Sequence, residues 1–145
     1  MIGPSGNVRV YLACGVTDMR RGIDGLSALV EGVIKEAPGS GALFGFRGRR
    51  ADRIKLLWWD GQGFCLFYKV LERGYFPWPT AKEGVAHLTH AQLSMLVDGI
   101  DWRRPAWTSA PQLLFLLGKF GNFLVLAVQI GYVFGYGNNA VGHSG

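Results

Sequence analysis

Five cationic side chains crowd into Arg47-Gly48-Arg49-Arg50-Ala51-Asp52-Arg53-Ile54-Lys55, namely Arg47, Arg49, Arg50, Arg53 and Lys55. A guanidinium is a planar, weakly hydrated fork that bonds phosphate oxygens in pairs. Such a cluster suits the backbone of a polyanion and gives a salt-dependent affinity with little base preference. Two further pairs, Arg20-Arg21 and Arg103-Arg104, extend the candidate nucleic-acid-binding set. The plainer reading of the same residues is a solubilising hairpin tip. Trp58, Trp59, Trp78, Trp102 and Trp107 have faces on which bases can stack. Most of them sit inside strand or turn patterns, where aromatic residues build core.

Other chemistry finds less support. His87 and His90 would share a face of a helix, but neither a cysteine nor a third ligand stands nearby to complete a metal site. Two-metal phosphoryl chemistry needs carboxylates converging from separate rigid elements. Among Asp18, Asp24, Asp52, Asp60, Glu72, Asp98 and Asp101, Asp18 reads as a helix cap, Asp60 as a turn residue, and Asp52 lies between arginines. The serines occur in no nucleophile context. Gly3–Gly6 and Gly39–Gly41 do not run into Gly-Lys-Ser/Thr before a helix, as a phosphate-binding loop would. No catalytic residue, metal site or cofactor is expected.

The elements that must carry the arginines are strands. Leu43–Phe46, Ile54–Trp59 and Phe64–Tyr68 are apolar runs separated by the basic loop and by Asp60-Gly61-Gln62-Gly63, and an Asp-Gly pair between such runs is a strong hairpin signal. In the middle run Ile54, Leu56 and Trp58 point one way and Lys55, Leu57 and Trp59 the other. Both faces of this meander are largely apolar, so both should be covered. Upstream, Asn7–Leu12 alternates like a first strand. Thr17 or Asp18 is placed to cap a helix whose apolar stripe runs through Met19, Ile23, Leu26, Val30 and Val33, widened by Leu29 and Ile34, and which stops near Pro38-Gly39. Downstream, Tyr75–Pro79 reads as a short edge strand ended by proline and Val85–Leu88 as another strand. Thr89 caps a second helix that buries Leu93, Leu96, Val97 and Ile100 and ends at Asp101–Pro105. The expected class is α+β: a small, mostly antiparallel sheet of four to six strands around a central meander, with one packed helix and a shorter C-terminal helix.

The chain has 145 residues with 49% hydrophobic and 17% charged content, which describes a folded domain able to bury a core. A net charge of +5 favours a polyanionic partner. Residues 1–107 hold every Lys and Arg except Lys119 and every Asp and Glu, and the composition changes abruptly at Trp107–Pro111. An accessory domain at 1–107 and an atypical apolar tail at 108–145 are therefore expected. Cys14 and Cys65 lie in apolar runs with no metal-ligand spacing, as in a reducing compartment. The N-terminal stretch lacks the pattern of a signal peptide, so a cytoplasmic location is expected.

Several separated motifs carry a family resemblance. Val10-Tyr11-Leu12-Ala13-Cys14-Gly15-Val16-Thr17-Asp18-Met19-Arg20-Arg21-Gly22-Ile23-Asp24-Gly25-Leu26, the basic stretch Leu43–Lys55, Trp58-Trp59-Asp60-Gly61-Gln62-Gly63, Leu71-Glu72-Arg73-Gly74, Leu93-Ser94-Met95-Leu96 and Gly99-Ile100-Asp101-Trp102-Arg103-Arg104-Pro105 together resemble the second-reading-frame accessory protein of the IS-sixty-six class of insertion sequences. That protein is often called TnpB and is distinct from the RNA-guided nucleases of the same name. The resemblance spans about Val8 to Pro105. It implies a small cytoplasmic protein encoded beside a separate, larger transposase and needed for efficient transposition of the element. It supplies no catalytic residues.

The expected function is that of a non-catalytic accessory factor in DNA transposition, with DNA (through its phosphate backbone) and the larger transposase as partners and a homo-oligomer compatible with both. The alternative is a protein-interaction module whose apolar sheet faces and tryptophans dock a partner while the arginines only solubilise it. The tail departs from the family pattern, which closes soon after Arg-Arg-Pro. Leu113–Phe134 is long enough to cross a bilayer, although Lys119, Asn122 and Gln129 interrupt it, so a membrane is a partner only if the tail is an anchor. The other reading is a frameshift or fused downstream product.

Overall fold

The computed structural model describes residues 7–80, 84–104 and 106–112. Its sheet is organised on Val10–Val16 (β1), which lies beside Leu43–Arg47 (β2) in parallel, with Val10 opposite Leu43 and Leu12 opposite Gly45. A parallel pair needs a crossover, supplied by helix Ile23–Leu29 (α1) and a π-helical turn at Val30–Ile34. Lys35 ends this segment in the left-handed conformation, φ 66°. The other pairings are antiparallel: Arg53–Trp59 (β3) on β2, Phe64–Val70 (β4) on β3, and Val85–Leu88 (β5) on β1. The order is β4-β3-β2-β1-β5. Helix His90–Val97 (α2) follows. The result is the expected α+β class with a five-stranded, mostly antiparallel sheet.

The alternation of apolar residues sends two sets of side chains to two faces. Tyr11, Ala13, Phe44, Phe46 and Leu57 pack under Leu26, Val30 and Ile34 of the crossover. Val10, Leu12, Leu43, Ile54, Leu56 and Trp58 pack under Leu93, Leu96 and Val97 of α2, together with Leu71 and Phe76. Each fully buried Leu, Ile or Phe contributes about 1.5–3 kcal/mol relative to an exposed one, so both faces stabilise the sheet.

Local signals set the turns. Asp60 accepts at Oδ1 from the backbone N–H groups of Gln62 (2.8 Å) and Gly63 (2.9 Å), while Gly61 takes φ 98°. Those bonds hold the Asp60 carboxyl below its ordinary range, with Gly63 first among the causes. Burial, reinforced by the adjacent Asp60 carboxylate, pushes the Cys65 thiol up. Thr89 caps α2 in a full capping box: its Oγ1 accepts from Gln92 N–H at 3.1 Å, and Gln92 Oε1 accepts from Thr89 N–H at 2.9 Å.

Several boundaries differ from expectation. The first helix begins at Ile23 with Gly22 before it and no side-chain cap, because the Asp18 carboxylate bonds Arg20 instead. It gives way to the π-helical turn at Val30 and ends at Ile34, several residues before Pro38. Widening the turn rotates the stripe, so Val33 stands 48% exposed while Ile34 is buried. Tyr75–Pro79 is not a strand. It is an extended strap that donates Phe76 N–H to Ala51 O (2.8 Å) and the Trp78 indole N–H to Ala13 O (2.8 Å). The second helix stops at Val97, and Gly99 then adopts φ 76°. The meander is not covered throughout: β3 is buried on both faces, whereas β4 is an edge strand with half-exposed side chains.

The chain stays attached past Trp107. Thr108 N–H and Ser109 N–H both donate to Gly99 O (2.6 and 3.1 Å), Thr108 O accepts from Tyr75 N–H (3.3 Å), and Ser109 Oγ donates to Arg73 O (2.6 Å). From residue 113 the tail lies outside the described residues, and with it the readings as membrane anchor or frameshift product. No helix among the described residues is long and apolar enough to cross a membrane.

Candidate nucleic-acid interface

The basic loop closes the β2–β3 hairpin at the end of the sheet where β1 also finishes. Thr17 N–H donates to Arg47 O (2.8 Å), tying the loop after β1 to the end of β2, and Gly48 N–H donates to Arg53 O (3.0 Å) across the hairpin. Gly48 permits the two loops to touch: a Cβ there would lie 2.9 Å from Met19 Cγ. Between the loops is an open recess of about 620 Å³, bordered by Thr17, Asp18, Arg20, Arg49, Arg50 and Arg53. Four of the predicted arginines, from two stretches distant in sequence, thus meet around one depression.

Their electrostatic states differ. Asp18 accepts from Arg20 through its backbone N–H (2.9 Å) and its guanidinium (2.8 Å to Oδ2). The side-chain bond to Arg20 is the main reason the Asp18 carboxyl falls far below its ordinary value and the Arg20 guanidinium rises. Both side chains face solvent, so the pair contributes little stability. Its carboxylate offsets the Arg20 charge. Arg53 pairs loosely with Asp52 at 3.6 Å and reaches the Tyr68 hydroxyl at 3.5 Å. Arg49 and Arg50 are exposed, and among the described residues their side chains make no hydrogen bond or ion pair. These two carry the uncompensated charge.

The remaining predicted residues do not join the recess. Lys55 departs from the expected basic tip: it is 7% exposed, its Nζ donates to Arg21 O at 2.8 Å, and it lies 4.7 Å from the Tyr68 ring centre. Strand alternation turns it under the N-terminal end of the crossover helix. Arg47 is half-buried and donates Nε to Cys14 O (3.3 Å). Arg21 is exposed, near Gly25 O at 3.4 Å, beside a separate depression floored by Leu29 and Val33. Arg103 pairs with Asp101 at 3.2 Å and lies over the Trp102 ring, and Arg104 is exposed beside it.

The tryptophans are structural in the main. Trp58 is 8% exposed, Trp78 and Trp102 pack on the same core, and the Trp102 indole donates to Pro77 O (2.8 Å). His87 is on β5 against Tyr11 and His90 begins α2, so they share no helical face. Among the described residues no cluster of His, Cys, Asp or Glu suits a metal ion. Thr17, Met19 and Gly48 build the recess without being charged, although in the sequence they carry only the marks of a helix cap, an apolar stripe and a loop glycine. The glycine inside the arginine run was the available signal.

The residues that shape this recess lie within a stretch shared with known proteins. A family model described as IS66 Orf2 like protein matches residues 8–107. The chain belongs to that family. As a member of the IS66 Orf2-like family it is an insertion-sequence-associated accessory protein. It is similar to the uncharacterized protein y4hO of Sinorhizobium fredii, 52% identical over 109 residues that cover 74% of this chain and 95% of that one. It is also similar to the uncharacterized protein y4jC of the same organism, 43% identical over 104 residues that cover 72% and 89% of the two chains. No solved structure matches.

Proposed function

We propose that this member of the IS66 Orf2-like family acts in transposition as a non-catalytic factor that binds DNA by its phosphate backbone, at the recess between the β1–α1 and β2–β3 loops. The observation that carries the reading is the meeting there of Arg20, Arg49, Arg50 and Arg53, two of them unpaired among the described residues. An arginine-bordered depression at a rigid sheet end offers guanidinium forks to adjacent phosphates without distorting the core. Exposed guanidinium groups clustered at a loop suit phosphate oxygens, which carry no sequence information, so the contact is read as backbone rather than sequence. The larger transposase is the second partner, and a factor holding element DNA would act beside it in the cytoplasm.

The protein-interaction alternative relied on apolar sheet faces and exposed tryptophans. Both sheet faces carry helices, and Trp58, Trp78 and Trp102 belong to the core, which favours the nucleic-acid reading. Fluorescence anisotropy on several unrelated duplexes tests it. Equal affinities that fall steeply with salt are expected, while binding to the transposase with no DNA affinity at low salt would replace this reading by the alternative.

A further inference from the structure

Among the described residues the sheet ends on one side at β4, an edge strand that nothing in its own sequence protects. Natural sheets blunt their edges with short strands, prolines, bulges or outward charges. The opposite edge, β5, is only four residues long. β4 runs seven residues, Phe64-Cys65-Leu66-Phe67-Tyr68-Lys69-Val70, without proline or glycine, and pairs with β3 in unbroken register. Its one charged side chain is turned away, with Lys69 Nζ donating to Val97 O at 2.8 Å. Tyr68 and Val70 are 45% and 47% exposed.

The direction of the backbone groups follows from two hydrogen bonds. Leu71 N–H donates to Asp52 O (2.8 Å) and Gly48 N–H to Arg53 O (3.0 Å). Antiparallel ladders alternate bonded and non-bonded pairs, so Cys65, Phe67 and Lys69 turn their amides toward β3. Phe64, Leu66, Tyr68 and Val70 turn theirs outward, and among the described residues none of these four makes a backbone bond on that side.

We propose that β4 pairs antiparallel with β4 of a second copy of this chain, about a two-fold axis at Phe67. That register is self-complementary. It places Leu66 opposite Tyr68 and Phe64 opposite Val70 of the second copy, and these are the residues whose amides point outward, so each such pair can exchange both hydrogen bonds. A two-fold axis perpendicular to the sheet keeps matching faces together, which sets aromatic against aliphatic side chains, a favourable cross-strand combination. Lys69 falls opposite Cys65 of the second copy, with its ammonium kept on Val97 O of its own chain. No like charges face each other. The two basic recesses then lie at opposite ends of one continuous sheet and face separate phosphate surfaces. The pairing itself rests on β4 alone and stands whether or not the recess binds DNA.

The test uses the full chain in a mild non-ionic detergent. Opposed Cα atoms in a non-bonded antiparallel pair are about 4.5 Å apart, within the span a disulfide bridges. In a Cys65→Ser background, Phe67→Cys should therefore give a covalent dimer under a mild oxidant, and Gln62→Cys at the hairpin tip should not. By sedimentation the wild type should be dimeric, and Val70→Lys, at an exposed position, should weaken the dimer at least tenfold with its thermal midpoint retained. A wild type that stays monomeric at all concentrations would overturn the proposal, since the edge would then be left open or covered otherwise. So would a dimer that forms without the Phe67→Cys cross-link, because its interface would lie elsewhere.

Discussion

Lys55 Nζ lies 2.8 Å from the carbonyl oxygen of Arg21, with the Tyr68 ring 4.7 Å away. The bond joins the middle of β3 to the residue just before Gly22, where the crossover helix starts. A lysine from the basic run thereby anchors the loop that carries Asp18 and Arg20 to the recess. Its charge is spent on a backbone carbonyl and an aromatic face rather than offered to solvent.

Lys55→Ala should accordingly destabilise the fold by about 1.5–3 kcal/mol, the range for a hydrogen bond made by a charged group. Arg49→Ala and Arg50→Ala should each change stability by about 0.5 kcal/mol or less, as exposed surface positions do. Urea titrations of the three variants check the contrast.

The Asp18 carboxyl should titrate below its ordinary value of 3.8. A depressed folded-state value means that whatever the Arg20 bond contributes is present above the ordinary carboxylate range and is lost as pH falls below it toward the folded-state value. At neutral pH the pair is therefore fully formed. Carboxyl chemical shifts followed against pH should show the low midpoint, and Arg20→Ala should return it toward the ordinary value.

The fold was legible where its causes are local. The Asp60-Gly61 hairpin, the Thr89 cap and the Val85–Leu88 strand are each specified by neighbours in sequence. The parallel placing of β1 against β2 is not, because it depends on how the crossover packs on Phe44, Phe46 and Leu57. Asp18 carries the sequence mark of a helix cap, but its carboxylate holds the Arg20 amide and guanidinium ahead of the helix instead. The burial of Lys55 could have been foreseen from its place between Leu57 and the loop on one strand face. The meeting of Arg20 with Arg49 and Arg50 could not, since it depends on Thr17 bonding Arg47 O across the parallel pair.

Trp58→Ala should cost about 3–5 kcal/mol, the usual range for deleting a large buried aromatic. Trp58 packs with Leu43 and Cys65 beneath the second helix, so the loss should appear as a lower denaturant midpoint. An unchanged midpoint would place its ring outside the core.

Residues after Trp107 should matter to stability. Gly99 and Gly74 take φ 76° and 86°, and a Cβ at Gly99 would stand 2.9 Å from Ser109 Cβ. A chain ending after Gln112 should unfold cooperatively. One ending after Trp107 should melt lower, because it loses the bonds of Thr108 and Ser109 to Gly99, Tyr75 and Arg73. Equal melting temperatures would show that the closing residues contribute nothing.

On the proposed reading Arg49 and Arg50 contact phosphate. Affinity for one duplex, measured across a range of salt concentrations for the wild type and for the Arg49→Ala, Arg50→Ala double variant, decides whether they do. Each phosphate contact contributes roughly 0.9 to the slope of log affinity against log salt, so the double variant should lose about 1.8 units of slope and bind all sequences more weakly alike. Identical slopes for the two proteins, or no binding by either at low salt, would contradict it.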